Sequence, residues 1–240
     1  MFVGNDVVDL TNPRTEGRAA DDRFVRRVFD LDEQRGIRAA GGSDLEIWSR
    51  WAAKEAGFKA ISKAIGSPPP FVHSAFKVAW NDVSDVADGM ARAGAIRYGE
   101  YVARVTVAVR PGAVHAVAHW VDAGTVDPVL LEPRVAMIES PGSRWAGSKE
   151  ELMRALSARE ADAVYSRESA AVRIGARADL AELLGVAESR LEIVCAPGPT
   201  SQRPPRVLLD GREAPADVSL SHDGRWIAWA IWVGTTGGGA

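Results

Sequence analysis

Two short segments hold most of the side chains that could do chemistry. GNDVVDL, residues 4–10, sets Asp6 and Asp9 in an apolar run with Phe2, Val3, Val7 and Val8. A buried strand gains nothing from carboxylates unless something positive pairs with them. WAAKEAGFK, residues 51–59, puts Glu55 and Lys59 four apart on one helical face, with Lys63 a turn further along. On a generic exposed helix such a pair is worth only about 0.3–0.5 kcal/mol. Here Trp51 and Phe58 bracket it and put the glutamate at the edge of the packed stripe. Carboxylates from a strand and a helix, converging at their junction, are what a Mg²⁺ site with retained waters and substrate phosphate requires. A third segment, SLSHDGRW at 219–226, sets Ser221 and His222 at a strand end before a hairpin-type turn. A lone histidine there is more often structural than catalytic, yet a hydroxyl and an imidazole so placed can reach a phosphate.

The elements that must position these groups follow from local pattern. Residues 2–10 read as a buried strand, and 19–38 as a charged helical stretch with Phe24, Val25 and Val28 as its apolar contacts. AGGSD (40–44) breaks that stretch, and Ser43 or Asp44 can cap the next helix. Residues 45–65 form the strongest helix, with Ile47, Trp48, Trp51, Phe58, Ile61 and Ile65 at helical spacing; Gly66 and SPPP stop it. Strands are expected at 75–80, 101–109 and 113–121, the last two joined by a tight turn at RPGA. Residues 122–148 are rich in Gly, Pro and Ser and read as a linker. A second helical block follows at 149–185, then strand-like runs at 191–196, 206–210 and 217–233, with a Pro-rich loop at 197–205. The tail 235–240 reads as flexible.

This order repeats. Residues 49–66 can be laid on 166–185 with a two-residue gap, and VHAVAHW (114–120) on WIAWAIW (226–232) without one. The expected fold is therefore α+β with two similar subdomains, 1–121 and 149–234, each a long helix packed on a small antiparallel sheet, with a cleft between them.

The chain has 240 residues, 46% of them hydrophobic, with eight Trp, enough for a real core. A net charge of −3 argues against nonspecific nucleic-acid binding, which rests on excess Lys and Arg. One cysteine, Cys195, excludes an internal disulfide framework and fits a reducing compartment; it is most simply a small apolar residue. With neither a signal-peptide pattern nor an apolar run of the ~20 residues that span a bilayer, a cytoplasmic protein with no membrane partner is expected.

In chain order the motifs are Gly4-x-Asp6, Trp51-x-x-Lys54-Glu55-Ala56-x-x-Lys59 and Leu220-Ser221-His222. With RFVRRVFDLDE (23–33), they resemble the 4′-phosphopantetheinyl transferases, which move phosphopantetheine from coenzyme A to a carrier-protein serine. The motif order is that of the short, trimeric holo-acyl-carrier-protein synthases, in a longer chain. SHDGRW is closer to the long, pseudodimeric type, which places its Ser-His motif first. The resemblance thus implies a single-chain pseudodimer with its halves in swapped order, expected to be a monomer.

It also implies Asp6 and Glu55 as Mg²⁺ ligands, with Asp9 a further candidate. Lys59 would contact the coenzyme A phosphates and His222 the 3′-phosphate, with Ser221 adjacent. Arg203 falls where the family has a basic residue, and Arg173 is another candidate phosphate contact, with Arg177 and Arg167 as rivals. Three departures stand out. Val8 occupies the position of the long type's second acid, Asp9 faces the other way in a regular strand, and Gln202 replaces a usual Gly. The implied chemistry has Glu55 taking the proton from the serine of an apo acyl or peptidyl carrier protein. A basic or apolar landing surface is expected, with DLDEQRGIR and the segment after Gly66 as possible docking elements.

Two other readings compete. One is a noncatalytic coenzyme A or carrier-protein binding module of the same fold, favoured by Val8. The other is a metal site at His115 and His119, for which two histidines on the polar face of a half-buried strand are the simpler account.

Overall fold

The computed structural model describes residues 1–86, 89–121, 133–140, 142–196 and 203–234. The expected tail at 235–240, residues 197–202 of the Pro-rich loop and residues 122–132 of the expected linker lie outside the described residues. The chain divides into two compact units, Phe2–Asp122 and Ala123–Ala240, the latter with Met1.

In the first unit, β1 (Phe2–Asp9) is followed by α1 (Asp22–Val28), α2 (Leu31–Ala39) and the long α3 (Asp44–Ile65). Helix α3 begins and ends on the expected signals: Ser43 accepts from the Glu46 N–H, and Gly66 closes it at φ +80°. The stretch 19–38 is two helices rather than one. Asp21 caps α1, Phe29 turns extended into the core, and Asp30 and Glu33 form a capping box that restarts the chain as α2. Phe24, Val25 and Val28 are buried, as their spacing implied.

A meander follows: β2 (Lys77–Val86), β3 (Gly89–Tyr98), β4 (Tyr101–Arg110) and β5 (Ala113–Trp120). With β1 it forms a five-stranded sheet in the order β1-β5-β4-β3-β2, every pair antiparallel. Strand β3 was not expected. GMARAGAIRY is poor in β-branched residues, and pairing on both sides holds it extended. At Gly94 an added Cβ would stand 2.2 Å from the Ala79 carbonyl oxygen, beside the β2 irregularity at Trp80/Asp82. Helix α3 packs on β1, β5 and β4, and the core lies between helix and sheet.

The second unit begins inside the expected linker, because residues 134–137 form β6 (Arg134–Met137). The expected single helical block resolves into α4 (Lys149–Arg154), α5 (Ala158–Ala161) and α6 (Arg167–Leu184). Ser148, Ser157 and Ser166 each cap one of them, so the breaks are locally encoded. Then come β7 (Leu191–Val194), β8 (Arg206–Leu209), β9 (Arg212–Glu213), β10 (Ala216–Asp223) and β11 (Trp226–Val233). They form two three-stranded antiparallel sheets, β10-β11-β6 and β7-β8-β9, and α6 packs on β11 and β10. The protein is thus α+β with antiparallel sheets, as expected.

Both units run first strand, short helices, long helix, later strands, and in each the first strand pairs antiparallel with the last. A buried glutamate recurs at matching places. Glu33, third residue of α2, accepts from Lys54 Nζ on α3 at 2.7 Å and from the Val78 N–H on β2 at 2.9 Å. Glu160, third residue of α5, accepts from Arg177 Nη1 on α6 at 2.7 Å and from the Ile193 N–H on β7 at 3.0 Å. Each acid also bonds back to its own capping residue, so one carboxylate ties a short helix, the long helix and a strand together.

Candidate functional site

The first group of site residues is built where β1 crosses α3. Helix α3 presents Ala52, Ala53, Ala56 and Ala60, all fully buried. Gly4 answers them: an added Cβ would stand 2.0 Å from the Ala56 carbonyl oxygen and 2.8 Å from the Ala60 nitrogen. Strand and helix therefore touch backbone to backbone, a closeness only glycine allows. Long side chains of α3 then reach across the strand. Lys59 Nζ donates to the Asn5 carbonyl at 2.7 Å and lies 3.0 Å from Asp6 Oδ1, and Lys63 Nζ donates to the Val3 carbonyl at 2.8 Å. The Asp6 and Lys59 side chains keep 14% and 28% of their surface exposed, so the pair is within reach of a solute.

Glu55 lies one turn before Lys59 and is 23% exposed, at the edge of the packed stripe. Its Oε1 faces His73 Nε2 at 3.6 Å. Asp6 and Lys59 thereby meet at one strand–helix junction, with Glu55 one turn back along α3. Asp9 does different work: its Oδ1 accepts the Thr11 N–H at 2.9 Å and the Thr11 hydroxyl at 2.6 Å, closing the turn that ends β1. Val8 is buried in the core. No cluster of three or more metal-binding side chains occurs among the described residues. The donors still suit Mg²⁺, which keeps several waters and takes one or two carboxylates plus substrate phosphate.

The second group lies in the other unit. Ser221 and His222 sit on β10, just before the Gly224 turn. Ser221 is buried, and His222 Nε2 lies 3.0 Å from the Tyr165 hydroxyl. Burial works against ionising Glu168, but the backbone N–H at its own position, Ser166, His222 and Arg167 outweigh it and hold the carboxyl below its usual range. The three rival arginines separate cleanly. Arg177 is paired with Glu160, and Arg167 donates to the Gly147 carbonyl and to Glu139. Arg173 is 4% exposed, yet among the described residues its guanidinium meets only Ser169 at 2.9–3.0 Å and Cys195 Sγ at 3.3 Å, and its Nε finds no partner there. Among the described residues no carboxylate answers that buried charge, a costly state that an anion would relieve. Arg203 is exposed, and its backbone N–H bonds Ala196 O at 2.8 Å.

The polar-face reading needs correction for His115, while His119 is only half-buried. His115 is buried against Asn5, 3.4 Å from its Nδ2, because β5 pairs with strands on both sides and is covered there on both faces. Burial, with Arg110 and Lys59 nearby, lowers its pKa from 6.5 to about 3. Sequence reasoning missed His73, Tyr165 and the need for Gly4. The aromatic flanks of PFVHSAF were the available signal for the first.

A family model described as the 4′-phosphopantetheinyl transferase superfamily matches residues 2–102. The holo-[acyl-carrier-protein] synthase of Roseiflexus castenholzii is 30% identical over 104 residues, 43% of this chain and 71% of that protein. Those of Roseiflexus sp. (strain RS-1) and Shewanella denitrificans are 30% and 32% identical over 88 and 71 residues, 37% and 30% of this chain. The matches span 59% and 56% of those two relatives. No solved structure matches. The matched span holds both the Gly4-x-Asp6 strand and the Lys54-Glu55 helix, and the chain belongs to the 4′-phosphopantetheinyl transferase superfamily.

Proposed function

We propose that this protein transfers 4′-phosphopantetheine from coenzyme A to a serine of an apo acyl or peptidyl carrier protein, with Mg²⁺. The observation that carries the reading is the meeting of Lys59 with Asp6 and the Asn5 carbonyl, one helical turn from Glu55. Asp6 and Glu55 would hold the ion, which when bound supplies charge neutralisation for the pyrophosphate and the leaving 3′,5′-bisphosphate. Lys59 adds a compact positive charge at the same oxygens. Glu55 accepts the proton of the attacking serine hydroxyl, directly or through water. In the second unit the uncompensated charge of Arg173, with His222 and Ser221, supports a phosphate contact there; Arg203 is retained as a further basic contact. The repeated element order and the paired glutamates support descent of the two units from one duplicated ancestor.

A landing surface for an acidic carrier is supported on the first unit. Helix α1 exposes Arg23, Arg26 and Arg27 and packs against the turn at His73–Ala75, with Leu31 and Val72 exposed nearby in sequence. Charge complementarity of this kind steers encounter even when net charge is negative. With no helix of the described residues long and apolar enough to cross a membrane, a cytoplasmic setting is part of the proposal.

The test is incubation with coenzyme A, Mg²⁺ and a panel of apo carriers, read by intact mass. Wild type is expected to add one phosphopantetheine, and Asp6→Ala and Glu55→Ala to fold and add none. Full activity of either variant would refute the site. The second reading, a binding module, rests on Val8 standing in the core where an acid is expected. Coenzyme A binding by the wild type, with transfer to no carrier, would select it.

A further inference from the structure

We propose that His73 is a positioning residue that holds the Glu55 carboxylate in its working orientation, an inference that rests on the role given to Glu55 above. The imidazole is clamped between Trp51 and Phe71, with ring centroids 4.2 Å from each and interplanar angles of 31° and 44°. Two aromatic rings thus hold the imidazole in place, and its ring edge is left to act. Nε2, on that edge, is buried, has no hydrogen-bond partner among the described residues, and lies 3.6 Å from Glu55 Oε1. That is just beyond hydrogen-bond distance, and a shift of about half an ångström closes it.

The segment that carries His73 is fastened to α3 at the residue before Glu55. Lys54 Nζ donates to the carbonyls of His73 and Phe76, at 3.1 and 2.5 Å, and to Glu33 at 2.7 Å. Glu33 in turn accepts the Val78 N–H at 2.9 Å. Burial pulls the Lys54 ammonium below the usual lysine range, against the opposing pull of Glu33. Trp51, Glu55 and Lys59 form one row along α3 at four-residue spacing, and His73 lies over its first two members. A neutral imidazole carrying its proton on Nε2 suffices for the role. Holding one carboxylate oxygen leaves the other aimed at the ion or the serine proton, and a site loose by an ångström works poorly.

The experiment compares wild type with His73→Phe, His73→Gln and Glu55→Ala. Phe keeps the aromatic clamp without a donor, and Gln keeps a donor without the ring. Two readouts are taken: steady-state kinetics with an apo carrier, and Mn²⁺ affinity of the protein alone, without substrates, by electron paramagnetic resonance. His73→Phe is expected to lower kcat about 10–100-fold with KM for coenzyme A unchanged, and to weaken Mn²⁺ binding about tenfold. His73→Gln is expected to recover much of both. His73→Phe matching wild type in kcat and Mn²⁺ affinity, while Glu55→Ala loses both, overturns the role of His73 alone. Glu55→Ala matching wild type overturns this inference together with the proposed site.

Discussion

Gly4 and His115 show how single residues shape the Asp6 site from two sides of β1. Gly4 lets the strand lie against Ala56 and Ala60, and without that contact Lys59 could not reach the Asn5 carbonyl. His115 sits on the other face, buried against Asn5, with a pKa lowered to about 3 by burial and by Arg110 and Lys59. The folded protein therefore keeps this imidazole neutral, while the unfolded chain takes up a proton below about pH 6.5. His115 costs no stability above that pH, and as the pH falls toward about 3 it costs up to about 1.4 kcal/mol per pH unit. Urea unfolding at pH 7 and pH 5 checks this: His115→Gln should lose less stability between the two than wild type, by up to about 2 kcal/mol. Equal losses would mean that the folded protein protonates His115. That Glu55 and Lys59 share one face of α3 was legible from their spacing. The burial of His115 was not, since VHAVAHW reads equally well as a strand with one wet face.

Among the elements, a buried glutamate from a short helix ties down each of the two long helices. Glu33 and Glu160 look in sequence like ordinary capping-box acids on polar helices, which in part they are. In each, the Oε2 that bonds the cap also takes a buried cation on the long helix, and Oε1 accepts a strand N–H, contacts 17 to 45 residues away in the chain. Removing one acid strands a cation and a backbone donor together. Glu33→Ala and Glu160→Ala should each cost about 3–5 kcal/mol in chemical unfolding, and Glu33→Ala combined with Lys54→Met should recover a large part. A loss under about 1 kcal/mol in either single variant would show that the buried pair does not hold its helix. Helix α3, the α4 to α6 breaks and the Pro111–Gly112 hairpin were encoded by caps and turns, and α3 and the hairpin were legible for that reason. The split at Phe29–Asp30 was encoded the same way but passed for one continuous charged helix.

Over the whole molecule, the chain carries the strand–helix motif and the Ser-His motif on two units of like plan. It is expected to sediment as a monomer of 25.7 kDa while active, and activity confined to a larger species would contradict that. The sequence by itself determined what local physics controls: helix starts at Ser43 and Ser166, the stop at Gly66, the hairpin at Gly224, and which residues bear charge at the site. Tertiary structure alone decided that GMARAGAIRY is a strand, that Arg173 rather than Arg177 or Arg167 is left without an acid among the described residues, and that His73 lies over Glu55. Caps and turns act within a few residues. Burial, charge compensation and the facing of one side chain on another depend on segments that only folding brings together.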